Sequence, residues 1–309
     1  MNNYIFTSLL MASLLISCSD DSAQVTKEPN FSLQSSPSSL VSDFCPNRHQ
    51  TAGGLQVVGG MDSVEREGIS VRILSGNKGA DGLNVINSSC SATFIGPNTI
   101  LTAAHCLYAK DIVYLVKEFF KTDSMGKKSL YSIRQKPVLS WKTMPGYVNN
   151  NKTFTGIAPI VNDIALIQVS QEDGISSWAE ISSSGPSLCD EVNWIGYGST
   201  SHQDNRALGL RKIGKNEIET IEHESGRSVI MFQSRSEGET PNESQSGSGD
   251  SGAGLFNSNG ELVGVVNAST KNAIKFYDND EKDPMYRSYA ANLHDEKVKE
   301  WLQSEGIGY

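Results

Sequence analysis

Apolar residues recur along most of the chain in short runs that turn-forming residues interrupt. These runs are rich in β-branched and aromatic residues, a pattern typical of β-strands. The candidate strands are 89–96, 99–103, 111–120, 163–169, 191–198, 228–234, 254–256 and 261–267. Asn259-Gly260, a pair favoured in hairpin turns, joins the last two. The pattern predicts an all-β domain that begins near Leu55.

Helical periodicity occurs only near the end of the chain. One face of the predicted helix would be apolar, formed by Val298, Trp301 and Leu302. Asp295 and Lys299 are four residues apart, so we expect them to pair on the helix surface. Gly306 would end the helix.

The N-terminal segment differs from the rest of the chain. Residues 5–17 form an apolar stretch with the length of a signal-peptide core, too short to span a bilayer comfortably. The stretch Leu15-Ile16-Ser17-Cys18 resembles the lipobox of bacterial lipoproteins, in which the cysteine is lipidated and becomes the new N-terminus. In such lipoproteins a residue other than Asp after the cysteine, here Ser19, favours the outer membrane. Residues 1–4 contain no Lys or Arg, so a plain secretory signal is the alternative.

Charge and composition narrow the choice of partners. The 309-residue chain has a formal net charge of −9 and no block of Lys or Arg, which argues against binding to nucleic acid or to an anionic lipid surface. Residues 1–18 are the predicted signal peptide, 19–56 a polar tether or propeptide, and 57–309 the folded domain. We expect an exported protein, anchored at the outer membrane only by lipid on Cys18, or secreted if Cys18 is unmodified.

Residues 246–256, SGSGDSGAGLF, have two interpretations. A Gly/Ser run is normally a flexible linker, yet several enzymes present a reactive serine in this way. A serine hydroxyl becomes a useful nucleophile only with a base, a group that orients the base, and donors for the developing oxyanion. Ser251 therefore needs partners elsewhere in the chain.

A histidine is the first candidate for the base that Ser251 needs. Four histidines lie in polar surroundings and are predicted to be solvated surface residues: His49, His202, His223 and His294. His105 instead follows an apolar strand and is flanked by small residues that let the backbone pack closely. Asp163 begins another apolar strand and is either a strand-starting cap or the orienting acid.

Three motifs occur in an order similar to that of the chymotrypsin/trypsin family of serine proteases: TAAHC at 102–106, NDIAL at 162–166 and GDSG at 249–252. Three more stretches resemble the family's mature N-terminus, its Gly-aromatic-Gly strand and its pocket-lining strand, namely 57–60, 194–200 and 262–266. The resemblance covers about residues 57–303. It implies two antiparallel six-stranded β-barrels with a C-terminal helix.

The same resemblance assigns chemical roles. His105 would be the general base, Asp163 would orient it, and Ser251 would attack the peptide carbonyl. The backbone N–H groups of Gly249 and Ser251 would form the oxyanion hole. We therefore expect a serine endopeptidase that acts on proteins or peptides as a monomer, without cofactor or metal.

The resemblance also predicts covalent links and an activation step. Cys90 would pair with Cys106, and Cys45 with Cys189, which leaves Cys18 for lipid. In the family, cleavage frees an α-amino group that pairs with the Asp before the reactive serine. Here these groups would be Val57 and Asp250. Gln56 stands where trypsin-activated zymogens carry Lys or Arg, so a trypsin-like activator is not expected.

Specificity residues depart from the family pattern. Gln245 stands where trypsins carry an Asp that binds Lys or Arg, so tryptic specificity is not expected. Asn267-Ala268-Ser269 replaces the Ser-Trp-Gly that lines the substrate cleft, so Gln245, Asn267 and Ser269 are the candidate pocket residues. The acidic stretch 277–284 is interpreted as a solvated loop rather than a calcium site.

Two alternatives remain. An α/β-hydrolase esterase would use Ser251 with His294, but its nucleophile needs an apolar strand before it and a helix after it. Here polar residues precede Ser251 and a predicted hairpin follows. A protease-like fold kept as a catalytically silent binding module at the cell surface is the second alternative.

Overall fold

The computed structural model describes residues 61–62, 68–122, 124, 128–147, 162–198, 211–224, 227–234, 244, 246–269 and 286–309. These residues all lie within one compact unit. The predicted signal peptide and tether lie outside them. Among the residues described, no helix is both long and apolar enough to cross a membrane.

Fifteen strands among these residues, β1 to β15, form two antiparallel sheets. The first sheet has the order β6-β5-β2-β3-β4-β8-β7. Its strands are β2 (Ser70–Lys78), β3 (Asn84–Phe94), β4 (Thr99–Thr102), β5 (Ile112–Thr122), β6 (Lys128–Pro137), β7 (Ser140–Thr143) and β8 (Ala165–Gln168). All four residues of β4 are buried, because β3 and β8 flank this strand on its two sides.

The second sheet has the order β1-β10-β9-β13-β14-β15-β12-β11. Its strands are β1 (Met61–Asp62), β9 (Glu191–Gly196), β10 (Lys212–Glu217), β11 (Thr220–Glu224), β12 (Arg227–Ser234), β13 (Gly254–Asn257), β14 (Leu262–Ser269) and β15 (Tyr286–Asn292). Trp194 and Phe232 pack in its core with ring centroids 4.9 Å apart. Gly260 adopts a φ of +85° in the turn between β13 and β14, as the Asn-Gly pair predicts.

The predicted fold class is confirmed: the chain is mostly β, with two antiparallel sheets and one helix near the C-terminus. The sheets contain seven and eight strands instead of six each. Short edge strands account for the difference, namely β7 in the first sheet and β1 and β11 in the second.

The C-terminal helix α1 spans Glu296–Ser304 and buries the three apolar residues predicted to share one face. Gly306, with a φ of +81°, follows its end. The predicted pairing of Asp295 with Lys299 is wrong. Asp295 is 2% exposed, caps the helix by accepting from the N–H groups of Lys297 and Val298, and pairs with Arg227 at 2.9 Å. The Asp295 carboxylate is therefore buried and does not lie on the exposed surface of the helix.

Candidate active site

His105 lies in a single 3-10 turn, Ala104–Cys106, directly after β4. The small residues around it are fully buried, so the turn packs its backbone against the core while the imidazole stays 30% exposed. A disulfide between Cys90 and Cys106 ties this turn to β3, as predicted. Ser75 donates a hydrogen bond from its hydroxyl to the carbonyl of Cys106. Both contacts fix Cys106, the residue directly after His105.

Asp163 lies just before β8, which pairs with β4. Its carboxylate makes two hydrogen bonds to His105. Oδ2 lies 2.6 Å from Nδ1 of the imidazole, and Oδ1 accepts the backbone N–H of His105 at 2.7 Å. A carboxylate at Nδ1 favours the tautomer in which Nδ1 carries the proton. Nε2 is then available as a base.

The electrostatics of this pair favour a charged imidazole. Burial by itself lowers the pKa of His105, but the charge and the hydrogen bond of Asp163 outweigh it, so the pKa is raised above its usual value. Tyr147 is a neighbour that the sequence motifs did not identify. Burial, and then the charge of Asp163, raise the pKa of the Tyr147 phenol. Its ring contacts Tyr108 edge-on, with centroids 5.5 Å apart.

Ser251 lies in a tight turn that packs against the end of β4. Gly249 and Gly252 have φ values of +100° and +88°, which side chains rarely tolerate. A Cβ on Gly252 would lie 2.1 Å from Oγ1 of Thr102 and 3.1 Å from the backbone N of Ala103. Only glycine therefore lets this turn approach the residues that lead into His105.

The three candidate residues are not all hydrogen-bonded to one another. The structure joins His105 to Asp163, and it brings the Ser251 backbone close to them: the Ser251 carbonyl oxygen lies 3.9 Å from Sγ of Cys106. Among the contacts of the described residues, no hydrogen bond links the Ser251 hydroxyl to His105. Such bonds are often long in free enzymes and tighten when substrate binds.

Some backbone N–H groups around Ser251 bond to carbonyl groups, whereas others have no acceptor among the described residues. The N–H groups of Asp250, Gly252 and Ala253 bond to the carbonyls of Gly247, Val266 and Asp250, at 3.0, 2.6 and 2.9 Å respectively. Within the described part of the chain, the N–H groups of Gly249 and Ser251 bond to no acceptor. These are the two donors that the sequence predicts for the oxyanion hole.

Asp250 is fully buried, and among the described residues only backbone N–H groups donate to its carboxylate. Oδ1 accepts from the N–H of Gly198 and Oδ2 from that of Gly247, each at 2.8 Å. A Cβ on Gly196 would lie 1.9 Å from Oδ1, so this carboxylate requires glycine beside it. Burial raises the pKa of Asp250 to about 7, although both hydrogen bonds act in the opposite direction. Among the described residues no cation pairs with it, and Val57, its predicted partner, lies outside them.

The predicted pocket residues are only partly described. Asn267 is 6% exposed and forms a bulge in β14, between Val266 and Ala268, and the half-buried Ser269 follows it. Gln245 lies outside the described residues. Its neighbour Ser246 bonds through N–H and hydroxyl to the hydroxyl of Ser288, both at 3.0 Å.

The remaining cysteines are only partly described. Cys189 is disulfide-bonded, while Cys45 and Cys18 lie outside the described residues, so the Cys45–Cys189 pairing stays a prediction. Cys90, His105 and Cys106 offer ligand atoms within 4.8 Å of one another. Both sulfurs belong to the disulfide, so neither can supply a thiolate to a metal.

His294 is not the solvated surface residue predicted. It is half-buried, Nε2 lies 2.9 Å from the carbonyl oxygen of Ser182, and its ring contacts Tyr309 edge-on. Burial lowers its pKa. His294 is half-buried because it lies between β15 and α1. The polar residues beside it in sequence do not predict this burial. Because His294 bonds to a carbonyl and His105 to a carboxylate, the geometry disfavours the esterase alternative.

Comparisons with known proteins concern the family and the fold of the chain. The sequence profile of the Trypsin family matches residues 57–279. Neuropsin, a serine protease expressed in the limbic system of mouse brain, is similar in structure, with a TM-score of 0.51 and 16% identity over 80% of this chain and 98% of neuropsin. The scabies mite inactivated protease paralogue S-I1 gives a TM-score of 0.48 and 17% identity over 80% and 97% of the two chains.

A protease from M. tuberculosis in its active form gives a TM-score of 0.48 and 15% identity, over 84% of this chain and 90% of that one. The comparison with curated protein sequences found no match. The family profile covers well over half of the chain, and it includes all three motifs around His105, Asp163 and Ser251. The chain therefore belongs to the trypsin family of serine proteases.

Proposed function

We propose that the chain is a serine endopeptidase in which Ser251, His105 and Asp163 act together. The observation that carries the proposal is the 2.6 Å contact between Nδ1 of His105 and Oδ2 of Asp163, because it leaves Nε2 available as a base. The packing of Gly252 against Thr102 also supports it, because Gly252 follows Ser251 and Thr102 leads into the His105 turn.

The chemistry follows from these positions. As Oγ of Ser251 attacks the carbonyl carbon of a peptide bond, Nε2 of His105 takes its proton. The carbonyl oxygen becomes an oxyanion, which the N–H groups of Gly249 and Ser251 stabilise. When the C–N bond breaks, His105 gives the proton to the leaving amine, and an acyl-enzyme remains. Water, activated by His105, then releases the acid and restores Ser251.

Activation by cleavage before Val57 belongs to the same proposal. Asp250 is a buried carboxylate without a cation among the described residues, and burial raises its pKa because the charged form is poorly solvated there. A new α-ammonium group at Val57 would supply the missing charge. Because Gln56 precedes the bond, the activating protease must accept Gln, and this enzyme itself is one candidate.

Location completes the proposal. The disulfide between Cys90 and Cys106 is consistent with an oxidising compartment. Together with the apolar segment 5–17 and the lipobox-like residues 15–18, it supports export and lipid attachment at Cys18. The enzyme would then act on exported proteins or peptides from the outer membrane.

An active-site probe tests the catalytic proposal. A fluorophosphonate should label the wild-type enzyme at Ser251, and Ser251→Ala should remove the label and lower turnover by about 10⁶. Ser258→Ala changes a serine in the nearby β13–β14 turn and should leave labelling intact. A folded wild-type protein with Val57 as its N-terminus that takes no label would favour the silent binding module.

Membrane fractionation tests the anchor. Cys18→Ala should move the protein from the membrane fraction to the soluble fraction, because a lipid chain supplies most of the membrane affinity of such a protein. Mass spectrometry of the mature N-terminus should find a modified Cys18. A mature protein that begins elsewhere, or that carries an unmodified Cys18, would contradict this proposal.

A further inference from the structure

Ser91 is a fully buried polar residue of β3. It follows Cys90, whose disulfide to Cys106 reaches the residue after His105. No motif in the sequence marks Ser91 as important. Its contacts, however, connect it to the segments that build the active site.

All three polar groups of Ser91 are hydrogen-bonded, and together they make four bonds. Its N–H donates to the carbonyl of Ser251 at 2.8 Å, and its own carbonyl accepts the hydroxyl of Thr102 at 2.8 Å. Its hydroxyl donates to the carbonyl of Gly249 at 2.8 Å and accepts the N–H of Tyr197 at 2.9 Å. One residue thus links the nucleophile, the predicted oxyanion turn and the strand that leads to His105.

We propose that Ser91 is a positioning residue that keeps the oxyanion turn in its working conformation. The proposal rests on the function proposed above. Gly249 has no side chain to limit rotation of its backbone, so its N–H can turn away from the substrate. A hydrogen bond on the Gly249 carbonyl holds the next peptide group, between Gly249 and Asp250, and so restrains rotation of Gly249 from its C-terminal side. The Ser91 hydroxyl supplies this bond from a different sheet.

Two adjacent peptide N–H groups also hold the oxyanion turn. Tyr197 N–H bonds to Ser91, and the next N–H in the chain, that of Gly198, bonds to Asp250 at 2.8 Å. Two adjacent donors therefore hold the turn through two different side chains. Ser91 would keep the turn partly ordered independently of the charge on Asp250, whereas the activation pair acts through Asp250.

The hydroxyl is specifically required, because it donates one bond and accepts another. Ser91→Ala would leave the partly buried carbonyl of Gly249 and the buried N–H of Tyr197 without these partners. Thr93, two residues further along β3, offers a matched control. It is also fully buried, and its hydroxyl oxygen accepts the N–H of Gly254 at 2.9 Å, in β13 and beyond the oxyanion turn.

The first test measures hydrogen exchange of single amides by NMR in the inactive Ser251→Ala background. Ser91→Ala should abolish protection of the Tyr197 amide, while Thr93→Val should affect the Gly254 amide instead. This measurement needs no enzymatic activity. Unchanged protection of Tyr197 in Ser91→Ala would overturn the proposal.

The second test measures the rate constant of fluorophosphonate labelling in cleaved protein with Val57 as its N-terminus. Ser91→Ala should label about 10- to 100-fold more slowly, because the oxyanion donors are misplaced. Peptide hydrolysis should show a similar fall in kcat with KM within about threefold. Thr93→Val should label within threefold of wild type. The rate constant does not depend on the amount of folded protein.

Ser91→Thr retains the hydroxyl and should label at least threefold faster than Ser91→Ala. If Ser91→Ala does not fold, Ser91→Thr should still label within tenfold of wild type. Labelling of Ser91→Ala within threefold of wild type, or an equal loss in Thr93→Val, would overturn the proposal. A wild-type enzyme that takes no label would contradict the proposed function instead, and the exchange measurement would still test Ser91.

Discussion

Asp163 controls both the orientation and the proton affinity of His105. Its two oxygens bond to the ring and to the backbone of the same residue, at 2.6 and 2.7 Å, so the imidazole has little freedom to rotate. Burial alone would lower the pKa of His105, but the carboxylate raises it. A base with a raised pKa is unprotonated, and therefore active, only at higher pH.

Asp163→Asn should lower the pKa of His105 and slow catalysis. The amide can stabilise the wrong tautomer and carries no charge, so kcat should fall by about 10⁴, the size of the loss known for this substitution in serine protease triads. Without the carboxylate, burial becomes the main influence, and the pKa of His105 should fall. The acid limb of the rate profile should then move to lower pH, measured as kcat/KM against pH. An unmoved acid limb would contradict the assigned role of Asp163.

Asp250 should make the uncleaved protein sensitive to pH. Its pKa in the folded chain is about 7, against an ordinary value of 3.8, so the folded state holds a proton that the unfolded state releases. The resulting stabilisation is complete below pH 4 and is lost as the pH rises through about 7. Thermal melts of uncleaved protein should show this decline, and Asp250→Asn should lack it. If the Tm of the two proteins changed with pH in the same way, the raised pKa of Asp250 would be refuted.

Arg227 connects three elements through one guanidinium group. Its Nε donates to Asp295, the cap of α1, and its Nη1 donates at 2.7 Å to Asn162, the residue before Asp163. Arg227 itself begins β12. The side chains of the Arg227–Asp295 pair are only 10% and 1% exposed. The helix and the segment that carries Asp163 therefore share one buried ionic contact.

Loss of this arginine should destabilise the fold strongly. Arg227→Leu leaves Asp295 buried without a cation, and such a change typically costs about 3–5 kcal/mol. Lys142 and Glu305 provide a matched control at 2.6 Å, because Lys142 is 62% exposed. Lys142→Met should cost less than about 1 kcal/mol. Urea unfolding measures both. Equal losses in the two variants would show that burial does not decide the strength of these pairs.

The elements and the motif residues are predictable from sequence, whereas their cross-links are not. Alternating apolar runs indicate strands, and the spacing of Val298, Trp301 and Leu302 indicates a helix, because each depends on neighbours along the chain. Asp295 shows the limit: its local pattern predicts Lys299 as partner, but a residue 68 positions away, Arg227, takes that place. Tertiary contacts of this kind leave no periodic signal.

The candidate site joins the two sheets. β3, β4 and the His105 turn belong to the first, while the Ser251 turn is held by Val266 of β14 in the second. The Ser91–Gly249 and Ser91–Tyr197 bonds span 158 and 106 residues of sequence. Family motifs identify the candidate reacting groups, because the proposed chemistry requires particular residue types. They do not identify Ser91, because many side chains could occupy a strand at that position.

Cleavage before Val57 should affect the whole candidate site between the two sheets. The new ammonium group, with an ordinary pKa of about 8, would pair with Asp250 and thereby gain a raised pKa. Its stabilising effect is complete below its ordinary pKa and is lost as the pH rises through the raised value. Activity of the cleaved enzyme should therefore decline in alkaline solution, in contrast to the uncleaved protein, whose stability already declines between pH 4 and 7.

Gln56→Pro blocks cleavage at this bond and should reduce activity to a small fraction of wild type, because no ammonium reaches Asp250 and the oxyanion turn stays incompletely ordered. Gln50→Pro is the matched control: it places proline in the same polar segment and leaves the 56–57 bond cleavable, so its activity should equal that of wild type. N-terminal sequencing establishes the cleavage state, and fluorophosphonate labelling measures the active fraction. Full labelling of Gln56→Pro with the 56–57 bond intact would show that the site assembles without the ion pair.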